Sequence, residues 1–466
     1  MEISVPFGEN HIPVTVPDGT AILAPSPAAA LADPKKAMQD ALEHPIGCVP
    51  FRELAKERAQ KSDAKACIVV SDNTRPVPYR GEAGILMPLI RQLLVEGFRP
   101  ENICILIATG THSAMPEDEI VKMLGKEPFE AGVTIVNHDC REESGLCSVG
   151  TTKRGTVAKI NRRYVEADLK ILTGLVESHF MAGASGGRKS VCPGIFGEAG
   201  TFVFHGPELM LDPNSRDLNL DGNKVHEESL EVARLAGVDF IVNVTLDSDF
   251  AITGIFCGDL EQAHEQAVEK LKGCVGVPFE SEFDLILTHA GFVGRNHYQA
   301  AKAGVEASYA VRPGGSVIML ANNHDQNPIG SDRYMLCCGL LKQLGVDAFE
   351  RLLKSPDWTF LPDQWQVQMW AKLFKKIAME DFIYYAPQLT EQDWRLLPGT
   401  NGKIFLRQEE TGEIAIRNVL QAALSEQMRK RGADAEDVKR GQFKIAYLPE
   451  GPYAVPLKKA NDQSEK

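Results

Sequence analysis

Residues able to do chemistry gather in four stretches: SDNTRP (71–76), ATGTHS (108–113), GLVESHFMAGASGGRKS (174–190) and TFVFHGP (201–207). They supply Arg75, His112, His179, Lys189 and His205. A guanidinium can grip a carboxylate through two parallel hydrogen bonds. A histidine moves protons near neutrality or binds a metal ion, and a desolvated lysine becomes a covalent handle. Singly, each has a plainer explanation: Arg75 as a loop cation on a surface carboxylate, His112 as a partner of its own loop. An arginine and two histidines, each just beyond an apolar run, point together to a shared site.

GASGGRKS (183–190) comes within one residue of the phosphate-loop pattern G-x-x-x-x-G-K-[ST]. It fails that pattern twice. Arg188 stands where the last glycine belongs, and Pro193 and Gly194 interrupt the helix that must follow. The glycines still allow close backbone approach, and loop N–H groups can hold an anion. The stretch therefore suits a phosphate-bearing ligand near Lys189 better than a nucleoside triphosphate. Cys192 has no evident base beside it and reads as a packing residue. His112, His138, Asp139, His179 and His205 are candidate metal ligands, but none of the histidines shows the H-x-x-x-H spacing of a helical zinc site.

The elements that must position these residues follow from the apolar pattern. Runs at 66–72, 102–110, 133–139, 167–176, 239–247, 283–290 and 314–322 are continuous and rich in β-branched residues. They read as strands buried on both faces. Amphipathic stretches at 80–98 and 261–273 read as helices, the latter ending on Gly273. Such alternation implies an α/β fold with mainly parallel sheets. The spacing predicts two α/β domains, 1–275 and 276–440, and a polar tail, 441–466. Three of the four reactive stretches then lie at the carboxyl ends of strands, where open parallel sheets bind ligands.

The formal net charge of −13 and the lack of a long basic tract argue against nucleic acid as a partner. Ten scattered cysteines without a C-x-x-C fit a reducing compartment rather than a disulfide framework or a thiolate zinc site. No apolar run reaches bilayer length and the N-terminus lacks a signal layout, so no membrane partner and a cytoplasmic location are expected.

The ordered set SDNTRP, ATGTH, E-x-H-x-x-A-G-x-SGGRKS-x-x-PG and His205, continued by GRNHYQAAKAG (294–304) and DQWQVQ (363–368), resembles the nickel-pincer lactate racemase family. The resemblance covers most of the first domain. It implies two α/β domains with the active site in the cleft between them. It further implies a nickel-pincer nucleotide, a nickel pyridinium-3,5-bisthiocarboxylic acid mononucleotide, joined through a thioamide to Lys189. Cofactor-biosynthesis enzymes would supply it. His205 would be the one protein ligand to nickel. Asp72, Ser185, Gly186, Gly187 and Arg188 would help hold the cofactor. His112 and His179 would be the catalytic acid–base pair, with Arg75, Tyr298, Gln299, Lys302 and Trp365 binding substrate.

The activity implied is racemisation or epimerisation of a 2-hydroxy acid at C2 by reversible hydride transfer. Ser178 stands where the family has proline, and Met181 and Ala184 replace typical aromatics. The smaller side chains suggest room for a substrate larger than lactate, such as a sugar acid. The segment 321–335 reads as an added loop. Two other readings stay open: a divalent-metal hydrolase or lyase with His112, His179 and His205 as direct ligands, and a non-catalytic binder of phosphorylated metabolites.

Overall fold

The structure, a computed structural model, describes residues 1–407 and 410–459. The chain forms two compact units. The first comprises Pro27–His205 and Pro213–Cys274. The second comprises Met1–Ser26, Gly206–Asp212 and the chain from Val275 on. The chain thus crosses between them four times, where the sequence suggested a single passage near residue 275. Short N-terminal strands with alternating burial pack under the second unit's sheet, which is why residues 1–26 leave the first unit.

The first unit is built on six strands: β1 (Ala66–Ser71), β2 (Ile103–Ala108), β3 (Thr134–Asn137), β4 (Leu169–Leu175), β5 (Phe240–Leu246) and β6 (Ile252–Gly258). Their order is β6-β5-β4-β1-β2-β3. All pairs are parallel except β5 with β6. Five match runs expected from sequence. The edge strand β6, ITGIFCG, was not foreseen, because its glycines break the apolar run. Helix α1 (Leu86–Val95) buries Leu86, Leu89, Ile90 and Leu93, the i, i+3, i+4, i+7 face of an amphipathic helix. It is shorter than the stretch 80–98, since hydrogen-bonded turns at Gly81 and Gly84 occupy the first residues. Helices α2 (Lys224–Ala236) and α3 (Gln262–Val275) follow, and α3 runs through Gly273 instead of stopping there.

The second unit repeats the theme. Strands β7 (Phe283–His289), β8 (Val311–Leu320), β9 (Phe382–Tyr385), β10 (Thr400–Asn401) and β11 (Ile445–Tyr447) form a wholly parallel sheet, with Ala21–Ile22 on its edge beside β11. One face packs against helices α4 (His297–Ala310) and α5 (Gln364–Lys376). The other packs against the N-terminal hairpin and the helix Gly412–Lys430. Residues 441–459 are not a tail: β11 lies inside the sheet, and Val455–Lys458 pairs with Gly276–Phe279. Those strands are too short to show a period, which is why the sequence did not reveal them.

Helix α4 is rich in alanine and glycine because Trp370 of α5 lies against it. A Cβ added at Gly304 would sit 2.4 Å from the Trp370 ring. All ten cysteines are unbridged.

Candidate active site

From β1 the chain runs outward through β2 and β3, then returns to place β4 on the other side of β1. The carboxyl ends of β1 and β4 are therefore a topological switch point, where open α/β sheets form their ligand crevice. SDNTRP follows β1, ATGTHS follows β2, and the glycine loop follows β4.

At the end of β1, Asp72 is nearly buried and its Oδ2 lies 2.6 Å from His112 Nδ1. Its Oδ1 accepts from the Thr74 backbone N–H at 3.2 Å and from the Thr74 hydroxyl. Burial alone would raise this carboxyl's pKa, but the hydrogen bonds from His112 and Thr74 hold it below the usual range. A carboxylate cannot donate, so His112 carries its proton on Nδ1 and directs the Nε2 lone pair outward. The His112 side chain is 60% exposed. Asp72 thus orients His112. Gly110 N–H donates to Gly194 O at 2.9 Å, tying the His112 loop to the turn after Lys189.

Arg75 Nη1 is ion-paired with Glu177 Oε1, joining the ends of β1 and β4. The expected carboxylate clamp is therefore already engaged by a carboxylate of the chain itself. Both side chains are about one-third exposed.

His179 sits on a two-residue ladder, Ser178–His179 against Gly183–Ala184. Its Nδ1 accepts from the Met181 and Ala182 N–H groups at 3.3 and 3.2 Å. Nε2 therefore carries the ring proton of the neutral imidazole, and it lies 2.7 Å from Lys189 Nζ. The Ser178 hydroxyl donates to buried Asp217, and Asn223 Nδ2 donates to Met181 O at 3.1 Å. These contacts clamp the ladder from both sides. Met181 and Ala184 are buried, so the volume they release is closed inside the unit. Neither carries the expected case for a larger substrate.

The glycine loop turns out to be a scaffold rather than an anion cradle. Gly187 N–H donates to Asn243 Oδ1 at 3.0 Å. The Ser185 hydroxyl donates to Leu175 O at 2.7 Å and accepts from Glu177 N–H at 2.9 Å. Arg188 is buried and bonds its own surroundings: Nη2 to Ala182 O at 2.7 Å and Nη1 to His264 Nε2 at 2.7 Å. Burial pushes the guanidinium down to about 9. Gly186 has φ 75°, and a Cβ there would meet Val176 at 2.7 Å, so only glycine serves. Ser185, Gly186, Gly187 and Arg188 therefore help to position Lys189, while Arg188 Nε is buried without a partner.

Lys189 is largely buried. Burial, then the neighbouring Arg75 and Arg188 charges, hold its amine well below the ordinary lysine pKa. Its charge is felt in turn at His205, which burial pushes down to about 4. His205 caps the helix Glu198–Phe204, and its Nδ1–H donates to Thr201 O at 2.9 Å. With Nδ1–H held in this way, Nε2 is the atom that could ligate a metal. Cys192 is buried, with its thiol pushed up by that burial. His138 is also buried, between Asn161 and Phe196 O. Among the described residues no three His, Cys, Asp or Glu side chains group to hold a metal ion. The site with three histidines as direct ligands is therefore not formed.

The remaining candidates lie in the second unit. Asn296 caps α4 by accepting from Gln299 N–H at 2.9 Å. Pro328 O and Ile329 O, from the segment expected as an added loop, accept from His297 and Tyr298 N–H. Tyr298 Oη accepts from Trp365 Nε1 at 2.6 Å. Lys302 follows Tyr298 by one turn on the same helical face. Arg75, His112, His179, Lys189 and His205 are thus one group, and Tyr298, Gln299, Lys302 and Trp365 another. Sequence reasoning missed Glu177, Asn243, His264 and Asp217. Only Asn243 left a readable signal, a lone amide in the apolar strand FIVNVTL.

A sheet with reactive loops at its switch point, a desolvated lysine and paired histidines define an enzyme of the isomerase class, a racemase, once the chain's relatives are considered. Residues 7–217 match the model of the lactate racemase N-terminal domain. A lactate racemase of Lactiplantibacillus plantarum is 32% identical over 77% of this chain and 81% of its own length. One from Thermoanaerobacterium thermosaccharolyticum is 30% identical over 80% and 85%. A solved lactate racemase apoprotein from the latter organism superposes with a TM-score of 0.79 at 26% identity, covering 98% of this chain and all of that one. A Thermotoga maritima protein shares the fold alone, with a TM-score of 0.58 at 17% identity. The chain belongs to the lactate racemase family.

Proposed function

We propose that the protein inverts C2 of a 2-hydroxy acid of the lactate class, using a nickel-pincer nucleotide tethered to Lys189 with His205 as its protein ligand. The observation that carries this reading is the pair formed by Lys189 and His179, with His205 close enough for the lysine to shift it. A buried amine that forms no ion pair with a carboxylate among the described residues fits a tether. A histidine whose Nδ1–H is anchored on Thr201 O fits a single metal ligand. When bound, the group supplies a pyridinium ring that accepts and returns a hydride, so that C2 passes through a planar ketone.

The chain's own residues do the rest. Arg75 takes the substrate carboxylate by a bidentate contact, and Glu177 must yield it. His112, oriented by Asp72, accepts the hydroxyl proton at Nε2. His179 serves from the other side. An acylated Lys189 nitrogen delocalises its lone pair, so the His179 Nε2–H is released to donate to the substrate oxygen instead. Tyr298, Gln299, Lys302 and Trp365 keep the substrate-binding role that the family resemblance implies. Nothing in the buried Met181 and Ala184 favours a bulkier acid, which remains one arm of the substrate test.

Protein co-expressed with the cofactor-making enzymes should carry added mass mapped to Lys189 and bound nickel that is lost in His205→Ala. It should interconvert single enantiomers from a panel of small and bulky 2-hydroxy acids, with deuterium exchange at C2 of the accepted one. Turnover by protein with bare Lys189 contradicts the reading.

A further inference from the structure

Lys189 faces His179 in an arrangement that says something about the protein before any cofactor arrives. His179 Nδ1 accepts two backbone N–H groups, so Nε2 presents a proton to Nζ at 2.7 Å. A donor facing an ammonium would be repulsive, whereas a donor facing an amine lone pair is a hydrogen bond. Arg75 and Arg188 oppose a positive charge at Nζ from two further directions, and among the described residues no carboxylate pairs with it. Burial and the two guanidinium charges outweigh the opposing pull of Glu177 and Cys192, and together with the His179 contact they favour the neutral, nucleophilic form.

We propose that Lys189 of the apoprotein is a self-acylating nucleophile and that His179 is its proton-relay partner. The Nζ lone pair attacks an acyl or thioacyl carbon and a C–N bond forms. The bond from that carbon to its leaving group breaks, the electron pair departing with the leaving atom. His179 gives its Nε2 proton to that atom and takes one from Nζ, so the pair ends as amide and neutral imidazole. No oxidant or reductant is needed. With the carboxyl group of a thiocarboxylic acid as electrophile, water leaves and a thioamide remains. The inference rests on the proposed function only for the identity of that natural electrophile. It assigns loading to residues of this chain, without a dedicated transferase.

The test uses the full-length apoprotein with p-nitrophenyl acetate and phenyl acetate, whose leaving groups differ in their need for a proton. Acetylation of each lysine is followed by peptide mass spectrometry. Lys189 should acetylate about tenfold or more faster than exposed Lys35 and Lys56 near neutral pH. Its advantage should be larger with phenyl acetate, because only there does a proton donor help the leaving group. His179→Gln should lose that extra advantage, while Arg75→Gln should keep it and slow both esters alike. The wild-type ratio alone decides if the His179 variant does not fold. Equal ester ratios at Lys189 and at exposed lysines overturn the relay, and an unreactive Lys189 overturns the nucleophile. An unreactive apoprotein that still yields loaded, racemising enzyme on co-expression would leave the proposed function standing, whereas ready acetylation without any cofactor adduct would do the reverse.

Discussion

The two units share an architecture and differ in what they bury beside it. Both carry a six-stranded, mainly parallel sheet. In the first, buried polar groups cluster behind the glycine loop: Arg188, Asn243, His264, Asp217 and Asn223. Each bonds backbone or another loop side chain, so long segments beyond the strand ends are held rigid. In the second, the interior beneath Tyr298 is aromatic. His297 stacks on Trp370 at 5.0 Å, and Tyr334 bridges His297 and Trp370 through its hydroxyl. The difference shows two ways to fix a functional side chain. Loops that carry a nucleophile and an acid–base pair need polar clamps, because their backbone lacks a ladder partner. Side chains presented from helices start from a hydrogen-bonded backbone and rest mainly on dense packing, with a few polar ties such as Trp365 to Tyr298.

The sharpest way to break this division is at Lys189 itself. Lys189→Ala should abolish the covalent adduct and all turnover while leaving thermal stability unchanged or raised, since a buried amine is removed. Intact mass, a racemisation assay and a melting curve report the three. A large loss of stability would mean that the lysine is structural.

Arg188→Met keeps volume and removes the clamp. It leaves Ala182 O without its donor and removes the Arg188 contact to His264 Nε2, which also lies 2.9 Å from Ser185 O, at about 1–3 kcal/mol in denaturant unfolding. Activity should fall further than that cost implies, because Lys189 follows directly in the chain. Cofactor adduct should still form more slowly, and unchanged loading kinetics would show that the clamp does not position the lysine.

In the second unit Gly304→Ala should cost about 1–3 kcal/mol by pushing a methyl group into Trp370. Trp370 is wedged among His297, Phe374 and Phe382 and has nowhere to move. The effect should appear in stability and in KM, with loading at Lys189 unaltered. Slower loading would show that the second unit shares in positioning the nucleophile.

How much of this was legible beforehand follows the same division. The apolar runs announced seven of the main strands, because parallel strands buried on both faces leave an unbroken signature. The ordered motifs singled out Arg75, His112, His179, Lys189 and His205, all of which lie in the first unit. What the sequence hid were partners chosen by three-dimensional neighbourhood. Glu177 on Arg75 and His264 on Arg188 have no spacing rule, being set by which loops meet at the switch point. The loop's polar groups looked available for a phosphate because their engagement with Leu175, Asn243 and Ala182 is a tertiary fact. The short strands near the C-terminus, two to four residues each in ladder contact, carry too little pattern to be read.

The mildest variant tests the finest feature of the first unit, the carboxylate behind His112. Asp72 is held below the ordinary carboxylate range, so its folded form binds its proton less readily than its unfolded form. Its contribution is therefore fully present above the unfolded value of about 3.9 and is lost as pH falls through the lower folded value. Asp72→Asn should destabilise the protein by about 1 kcal/mol at neutral pH. Unfolding midpoints of the two proteins should converge only in strong acid. In loaded enzyme the same change removes the acceptor that fixes the proton on His112 Nδ1, so kcat should fall with KM little moved. A stability gap that persists unchanged through the acid range would mean that the Asp72 side chain matters for its shape and not for its charge.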